Sequence, residues 1–267
     1  MSLTIDGKTL KELGLALLPG HEHLAAPSTR DYTVSLPGVP GAYDFGADLD
    51  VRSFTLPLLV KPQSSYELAP KIREIMKAFF DPYGKPKTVK LTFDYEPDKY
   101  YKVRYSGNLD TTRFKTMANL VFPLTAFDPH AYSVIDTSDN VLWGDDIPFL
   151  SDVPLGIGDY QYSVTGPSYL RVENLGSLVV RPVIEITGSA STMTLNANGK
   201  NFSVGGFPEG ATLLIDSTHY VVMKDGQNYI HKMTGDFLEL MPGANTVGVG
   251  GTNLNINITF KFRAKYM

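Results

Sequence analysis

Hydrophobic and polar residues alternate along most of this chain with the two-residue period of a β-strand. In the most regular stretch, four large apolar residues alternate with Asn, Thr, Lys and Arg: Ile256, Ile258, Phe260 and Phe262. The stretch 52–60 shows the same period, although Pro57 within it favours an edge position or a bulge. Such alternation predicts antiparallel strands with one buried face.

One stretch follows the helical period instead. Apolar residues at positions 68, 72, 75, 76 and 79 lie on one face, and charged residues occupy the other. Ser64 and Glu67 have capping-box spacing, and the turn-forming segment 81–84 ends the pattern. These features predict a helix at about 65–80, and Pro70 favours a start of the regular helix at that residue because proline fits a first turn.

Turn residues separate the strands of the second half. Asn174 and Gly176 both tolerate positive φ and predict a turn, after which a strand runs on to Gly188. Asn198-Gly199 predicts a type I′ hairpin. The polar, acidic segment 130–140 marks a domain boundary. We therefore expect a mainly β fold, with a split-barrel or sandwich-like N-terminal domain (1–133) that carries the helix, and a C-terminal β-sandwich (134–267).

Composition narrows the function classes. The 267 residues, 43% of them hydrophobic, are enough to bury a core in one large or two ordinary domains. The lack of cysteine excludes disulfides and thiolate metal sites and fits synthesis in a reducing cytosol. No segment approaches the roughly 18 apolar residues of a membrane helix, and the first residues do not resemble a secretory signal. We expect no membrane insertion, and the net charge of −4 gives no overall attraction to nucleic acid.

Candidate chemical sites are weak. His21-Glu22-His23 has metal-ligand character but lies in an expected loop and lacks a third ligand. The carboxylate clusters lie among turn residues, and no motif pairs an acid with a base: 94/96/98, 136/139 and 145/146. We therefore expect no catalytic residue, no cofactor and no metal. Trp143 is the single candidate for stacking on a sugar, and core or interdomain packing is the favoured interpretation of this residue.

Several motifs occur together in one order. The second half contains N-x-G at 174–176, R-P-x-I-x-I-x-G at 181–188, L-x-I-D at 213–216 and P-G-x-N-x-V at 242–247. This order resembles the C-terminal half of the distal tail protein (Dit) of long-tailed siphophages. In the first half, L-P-G-V-P-G-A-Y-D-F-G at 36–46 resembles the P-G-x-x-G-x-Y-D-x-G segment of the same family. The resemblance extends over nearly the whole chain.

The resemblance implies a structural hub at the tip of a siphophage or prophage tail, located in the virion and assembled in the host cytoplasm. It implies a homo-hexameric ring of N-terminal domains that continues the tail tube, with a galectin-like or carbohydrate-module-like sandwich outside. The ring would join the tail tube protein to the tail-associated baseplate protein and, in some members, to receptor-binding proteins. DNA would cross its lumen without specific binding. We expect ring contacts at 37–46 and the neighbouring strand.

Two other interpretations stay open, besides the weaker one of an enzyme. A carbohydrate-binding sandwich that contributes to host adsorption requires an exposed aromatic groove. A tail-tube subunit usually has a single β domain, which the expected second sandwich argues against. An enzyme is the weakest option because no acid and base are paired.

Overall fold

The structure, a computed structural model, describes residues 2–23, 25–62, 64–137 and 160–267. The chain forms two compact units, Met1–Ala131 together with Met267, and Tyr132–Tyr266. β-Strands dominate both units, and a single α-helix occurs among the described residues. The prediction of a mainly β protein with one helix is therefore confirmed.

The N-terminal unit is built on an antiparallel sheet. Its strands are β1 (Leu3–Ile5), β2 (Lys8–Thr9), β3 (Leu15–Leu17), β4 (Glu22–His23), β5 (Thr29–Val34), β6 (Tyr43–Leu49), β7 (Arg52–Val60), β8 (Thr88–Phe93), β9 (Glu96–Tyr105), β10 (Asp110–Arg113) and β11 (Ala118–Ala126). The main sheet has the order β2-β1-β8-β9-β11-β7-β3, with β10 beside β11 and β4 beside β7. Strands β5 and β6 form a separate two-stranded sheet. A further short strand, β12 (Ala131–Ser133), follows.

Helix α1 (Leu68–Phe79) packs its apolar stripe on the sheet. Leu68, Ile75 and Phe79 are buried, and the rings of Phe79 and Phe122 on β11 lie 4.8 Å apart. A 3₁₀ turn at Ser65–Glu67 precedes the helix, and the Ser64 side chain accepts a hydrogen bond from the Tyr66 amide. The regular helix therefore begins at Leu68, two residues before Pro70. Proline is tolerated there because amides in the first turn have no partner within the helix.

Pro57 lies in an interior strand, which corrects the prediction of an edge or a bulge. Strand β7 is flanked by β11 on one side and by β3 and β4 on the other. Strand β3 pairs with residues 58–60 of β7, and β4 pairs with residues 54 and 55. Pro57 falls between these two short strands, and its carbonyl accepts a hydrogen bond from the Leu18 amide. The missing proline donor thus coincides with a gap in the ladder.

The C-terminal unit contains the longest strands. They are β13 (Gln161–Val164), β14 (Ser168–Asn174), β15 (Val183–Ala197), β16 (Lys200–Asp216), β17 (Val221–Lys224), β18 (Gln227–Asn228), β19 (Met233–Gly235), β20 (Gly243–Thr252), β21 (Asn255–Lys261) and β22 (Lys265–Tyr266). Asn198 and Gly199 join β15 to β16 with φ angles of 49° and 78°, so the type I′ turn is confirmed.

The β15–β16 hairpin carries two groups of strands. Its open half pairs with β21 and β17, and the half nearer the turn pairs with β20 and β19. Between the halves the register shifts, and a Cβ on Gly206 would lie 2.7 Å from the Ser191 carbonyl. Apolar residues of both halves share one core, as a β-sandwich requires. Strand β15 passes through Gly188 and continues to Ala197, which corrects the prediction that this strand ends at Gly188.

Two buried asparagines explain the N-x-G and P-G-x-N-x-V motifs. The Asn174 amide donates to the Leu178 and Leu240 carbonyls, and its Oδ1 accepts from the Gly176 amide. The Asn245 amide donates to the Met241 carbonyl, and its Oδ1 accepts from the Met241 amide. Each side chain therefore holds an irregular backbone segment in the core. Gly176 does not adopt positive φ; it is needed because a Cβ there would lie 2.4 Å from the Lys265 carbonyl.

Candidate assembly surface

The hairpin formed by β5 and β6 is an exposed structure of the N-terminal unit. Its two strands pair with each other and with no other strand among the described residues. Every residue of β5 is exposed, and so is every residue of β6 except the half-buried Leu49. A two-stranded hairpin alone in water is only marginally stable. The hairpin therefore needs stabilising contacts with a surface outside its own two strands.

The part of this hairpin nearest its turn has an apolar face. Paired residues share a face and side chains alternate, so Tyr32 and Val34 of β5 lie on the same face as Tyr43 and Phe45 of β6. All four side chains are exposed, and that of Phe45 is 70% exposed. Full burial of a large apolar side chain contributes about 1.5–3 kcal/mol. The hairpin thus has the apolar–polar alternation that is typical of a half-buried strand, but its apolar side chains are exposed in the single chain.

Two hydrogen bonds to carboxylates add local order to the hairpin. Gly46 adopts a φ of 98°, and its amide donates to the Asp44 carboxylate at 2.9 Å. The Tyr32 hydroxyl donates to the Asp48 carboxylate at 3.0 Å across the strands. The segment 37–46, where ring contacts are expected, includes the start of strand β6 at Tyr43. Leu36 and Val39 at the tip add to the exposed apolar surface.

Both outer edges of the hairpin are free among the described residues. A free edge presents unpaired N–H and C=O groups that can add another strand. Exposed apolar patches of this kind mark association surfaces in soluble proteins. The geometry therefore favours binding another protein through strand pairing and apolar contact.

The His21–His23 segment is ordered differently from the expected loop. Glu22 and His23 form β4, which pairs with β7, and the His21 ring stacks on Phe93 with centroids 6.1 Å apart. Across residues 2–23, 25–62, 64–137 and 160–267, no group of three or more His, Cys, Asp or Glu side chains lies close enough to hold a metal ion. No helix in the same ranges is both long enough and apolar enough to cross a membrane.

Several predicted side chains have structural contacts. Asp94 accepts a hydrogen bond from the Ser2 amide, and Asp136 forms an ion pair with Arg263 at 3.3 Å. Trp143, the candidate for sugar stacking, lies outside the described residues, as do the carboxylates at 139, 145 and 146. Asp98, which belongs to the same cluster as Asp94, forms an ion pair with Lys99 at 3.5 Å.

Arg52 is a core residue that the sequence pattern did not reveal. Its side chain is 1% exposed and donates to the Ala25 carbonyl at 2.6 Å and to the Pro129 carbonyl at 3.4 Å. In the sequence, Arg52 stands at the start of an alternating strand. A polar residue is common at such a position, so the pattern gave no indication that Arg52 is buried. A buried arginine fits because its guanidinium has five donors to satisfy several carbonyls at once.

Two family profiles match the chain, one to each unit. Residues 8–123 match the phage tail protein RIFT-related domain, and residues 175–266 match the C-terminal domain of siphovirus-type tail components. The first match contains the exposed hairpin. The second contains all four motifs of the C-terminal half except the first residue of N-x-G.

A solved structure shows the same fold. The Dit protein of phage SPP1, described as a paradigm of the hub adsorption apparatus in phages that infect Gram-positive bacteria, covers 98% of this chain and 98% of its own, with TM-score 0.69 and 17% identity. The phage P2 baseplate in its activated conformation with Ca aligns over 100% of this chain and 99% of that one, with TM-score 0.40 and 11% identity. No curated protein sequence matches the chain.

Proposed function

This chain belongs to the distal tail protein (Dit) family of siphophages and is a structural component of the tail tip, and we propose that it works there as a homo-hexameric ring. The exposed β5–β6 hairpin is the observation that supports self-association. Its apolar face and free edges need a partner surface, and in a ring every copy would offer the same surface to its neighbour. The number six comes from the family resemblance.

The ring would also bind other proteins of the tail. It would join the tail tube protein to the tail-associated baseplate protein and to receptor-binding proteins, and DNA would pass through its lumen without specific contact. Assembly would take place in the host cytoplasm. The family is a structural one, and the proposal includes no catalytic role.

Light scattering of the purified chain tests the ring, with negative-stain images of the same fraction. We expect a mass six times that of the 29.4 kDa chain and six-fold images. Phe45→Ser combined with Tyr43→Ser should shift the mass toward the monomer, because it removes apolar area from the hairpin face. Asp44→Lys is a poorer probe, since the Asp44 carboxylate also holds the Gly46 amide.

Tyr83→Ser is the matched control. Tyr83 is 89% exposed but lies outside the hairpin, so its loss should leave the mass unchanged. A monomer at every concentration, alone and with tail partners, would contradict the ring. If the ring forms despite the double hairpin substitution, its interface must lie outside the hairpin.

A further inference from the structure

The β5–β6 hairpin is attached to the N-terminal unit through two short segments. Residues 25–28 lead into β5, and only Asp50 and Val51 separate the end of β6 from the start of β7. Among the described residues, neither strand of the hairpin pairs with a strand of the main sheet. The direction in which the hairpin projects therefore depends on the hydrogen bonds within these two segments.

Arg52 attaches the entering segment to the core of the unit. Its Nη2 donates to the Ala25 carbonyl at 2.6 Å, and its Nη1 donates to the Tyr101 hydroxyl at 3.5 Å. The Arg52 side chain is 1% exposed, and Pro27 in the same entering segment is also buried. A planar guanidinium with several donors holds its acceptors in a defined geometry. The start of the hairpin is therefore fixed next to the first residue of β7, into which its other strand leads.

Asp50 fixes the connection between β6 and β7. Its backbone amide donates to the Ser28 carbonyl at 2.7 Å. Its carboxylate accepts hydrogen bonds from the Val51 amide at 2.9 Å and from the Arg30 guanidinium at 3.2 Å. The Val51 amide holds the pKa of the Asp50 carboxyl below its ordinary value, and Arg30 lowers that pKa further. One residue thus joins the bend after β6 to the start of β5.

A fixed direction of the hairpin favours association. Its apolar side chains are exposed in the single chain, so a neighbouring subunit can bind them only where the hairpin projects. A mobile hairpin has to be ordered when it binds, and this ordering opposes association. In a closed ring the same hairpin would form every interface, so a change in its direction would be repeated at each one. The contacts at the base of the hairpin thus bear on assembly, although none of them involves its apolar side chains.

We propose that Asp50 and Arg52 are positioning residues for ring assembly, because they set the direction in which the β5–β6 hairpin projects toward the neighbouring subunit. Neither side chain has to contact that neighbour, since Arg52 is buried and Asp50 is hydrogen-bonded within its own chain. The inference rests on the proposed ring. It extends that proposal from the hairpin face that makes the contact to the residues that orient this face.

The distance between two spin labels measures the direction of the hairpin. The chain has no cysteine, so labels attach only at the introduced Val39→Cys at the hairpin tip and Tyr83→Cys outside it, both at exposed positions. Dilution with unlabelled wild-type chain restricts the measurement to distances within one chain. We expect one narrow distance distribution, which Asp50→Ala should broaden. Asp50→Asn should keep it narrow, because the amide oxygen can still accept from the Val51 amide.

Light scattering over a dilution series then measures the concentration at which half of the ring dissociates. Asp50→Ala should raise this concentration by at least about tenfold, with an unchanged Tm, and Asp50→Asn should restore most of the loss. Arg52→Lys should also raise it, but this variant lowers stability as well, so Asp50→Ala is the decisive one. Asp110→Ala is the control, because Asp110 is exposed on β10 and forms no ion pair with a described residue.

The two measurements separate failure of this inference from failure of the ring itself. A wild-type chain that forms no ring contradicts the proposed function, whereas the label distances still decide whether these residues orient the hairpin. The positioning role is overturned if the distribution is broad in the wild type or stays narrow in Asp50→Ala. It is equally overturned if Asp50→Ala broadens the distribution but the ring dissociates at the wild-type concentration.

Discussion

The guanidinium of Arg52 lies 5.0 Å from the centroid of the Tyr101 ring inside the core of the N-terminal unit. The two strands that carry these residues, β7 and β9, are both paired to β11, and the contact reaches across that strand. Hydrogen bonds from Arg52 to the Ala25 and Pro129 carbonyls add two irregular segments to the same cluster. One side chain therefore connects parts of the unit that are distant in sequence.

Replacing Arg52 should strongly destabilise the N-terminal unit. In Arg52→Leu, the carbonyls that the guanidinium satisfies lose their donor, at a cost of about 1–3 kcal/mol for each group left buried without a partner. Arg52→Lys should recover only part of the loss, because an ammonium cannot reproduce the planar fork. Urea unfolding measures both variants. Equal stability of Arg52→Leu and the wild type would contradict the role assigned to this residue.

Adding a single methyl group at Gly176 should destabilise the C-terminal unit. A Cβ there would lie 2.4 Å from the Lys265 carbonyl and 3.0 Å from the Asn174 Oδ1. Gly176→Ala must therefore move backbone, which we expect to cost about 2–4 kcal/mol. Gly166→Ala is the matched control, because a Cβ there meets nothing within 4 Å. Thermal unfolding should show a lower Tm for Gly176→Ala alone, and equal shifts in the two variants would argue against the close approach.

A charge on the buried face of α1 should unfold the N-terminal unit. Ile75 is buried against the sheet, so Ile75→Asp loses apolar burial of about 1.5–3 kcal/mol and places a carboxylate in the core. Ile72→Asp should be milder because Ile72 is only half-buried. Arg73→Asp on the exposed side serves as the control. Circular dichroism melts compare the three variants, and a full-strength transition for Ile75→Asp would refute the packing of this helix.

Stability should fall above about pH 10. The Tyr160 hydroxyl donates to the Glu173 carbonyl and the Tyr162 hydroxyl donates to the Arg171 carbonyl, and burial raises the pKa of both tyrosines. A raised folded-state pKa means that the unfolded chain loses its proton first. The contribution is therefore fully present below the ordinary tyrosine pKa of about 10 and is lost as pH rises.

The tyrosine effect is measured by urea unfolding between pH 8 and pH 11. Each tyrosine adds at most about 1.4 kcal/mol per pH unit to the slope. Tyr160→Phe should be less stable at pH 8, because the Glu173 carbonyl loses its donor, and should show a shallower alkaline slope. Tyr101, whose pKa burial also raises, remains in that variant and keeps part of the slope. An unchanged slope in Tyr160→Phe would exclude this residue as a source.

Much of the fold follows from local pattern. The alternation in β7 and β21, the helical stripe of α1 and the Asn198-Gly199 turn each carry their own signal, because side-chain period and turn chemistry act within a few residues. Gly176 shows the limit of such reasoning. Its residue type indicated a turn, but the backbone of Lys265, 89 positions away, determines why no other residue fits.

The candidate assembly surface shows a second limit. Tyr32 and Val34 alternate with polar residues as in any half-buried strand, yet both are exposed in the single chain. Periodicity indicates that one face of a strand is buried, but it does not identify the molecule that buries this face. Tyr169 on the alternating strand β14 is also exposed, and its pairing partner Gly248 lies on β20, 79 positions away.

Because of the two long strands β15 and β16, one part of the C-terminal sandwich cannot readily unfold while the rest stays folded. Each strand belongs to both groups of paired strands, so neither group can separate from its neighbours without breaking the shared hairpin. Native-state hydrogen exchange should therefore be slowest for amides in this hairpin, near the rate of global unfolding. The short peripheral strands β13, β18 and β19 can fray without disturbing it, which confines rapid exchange to the rim of the sandwich.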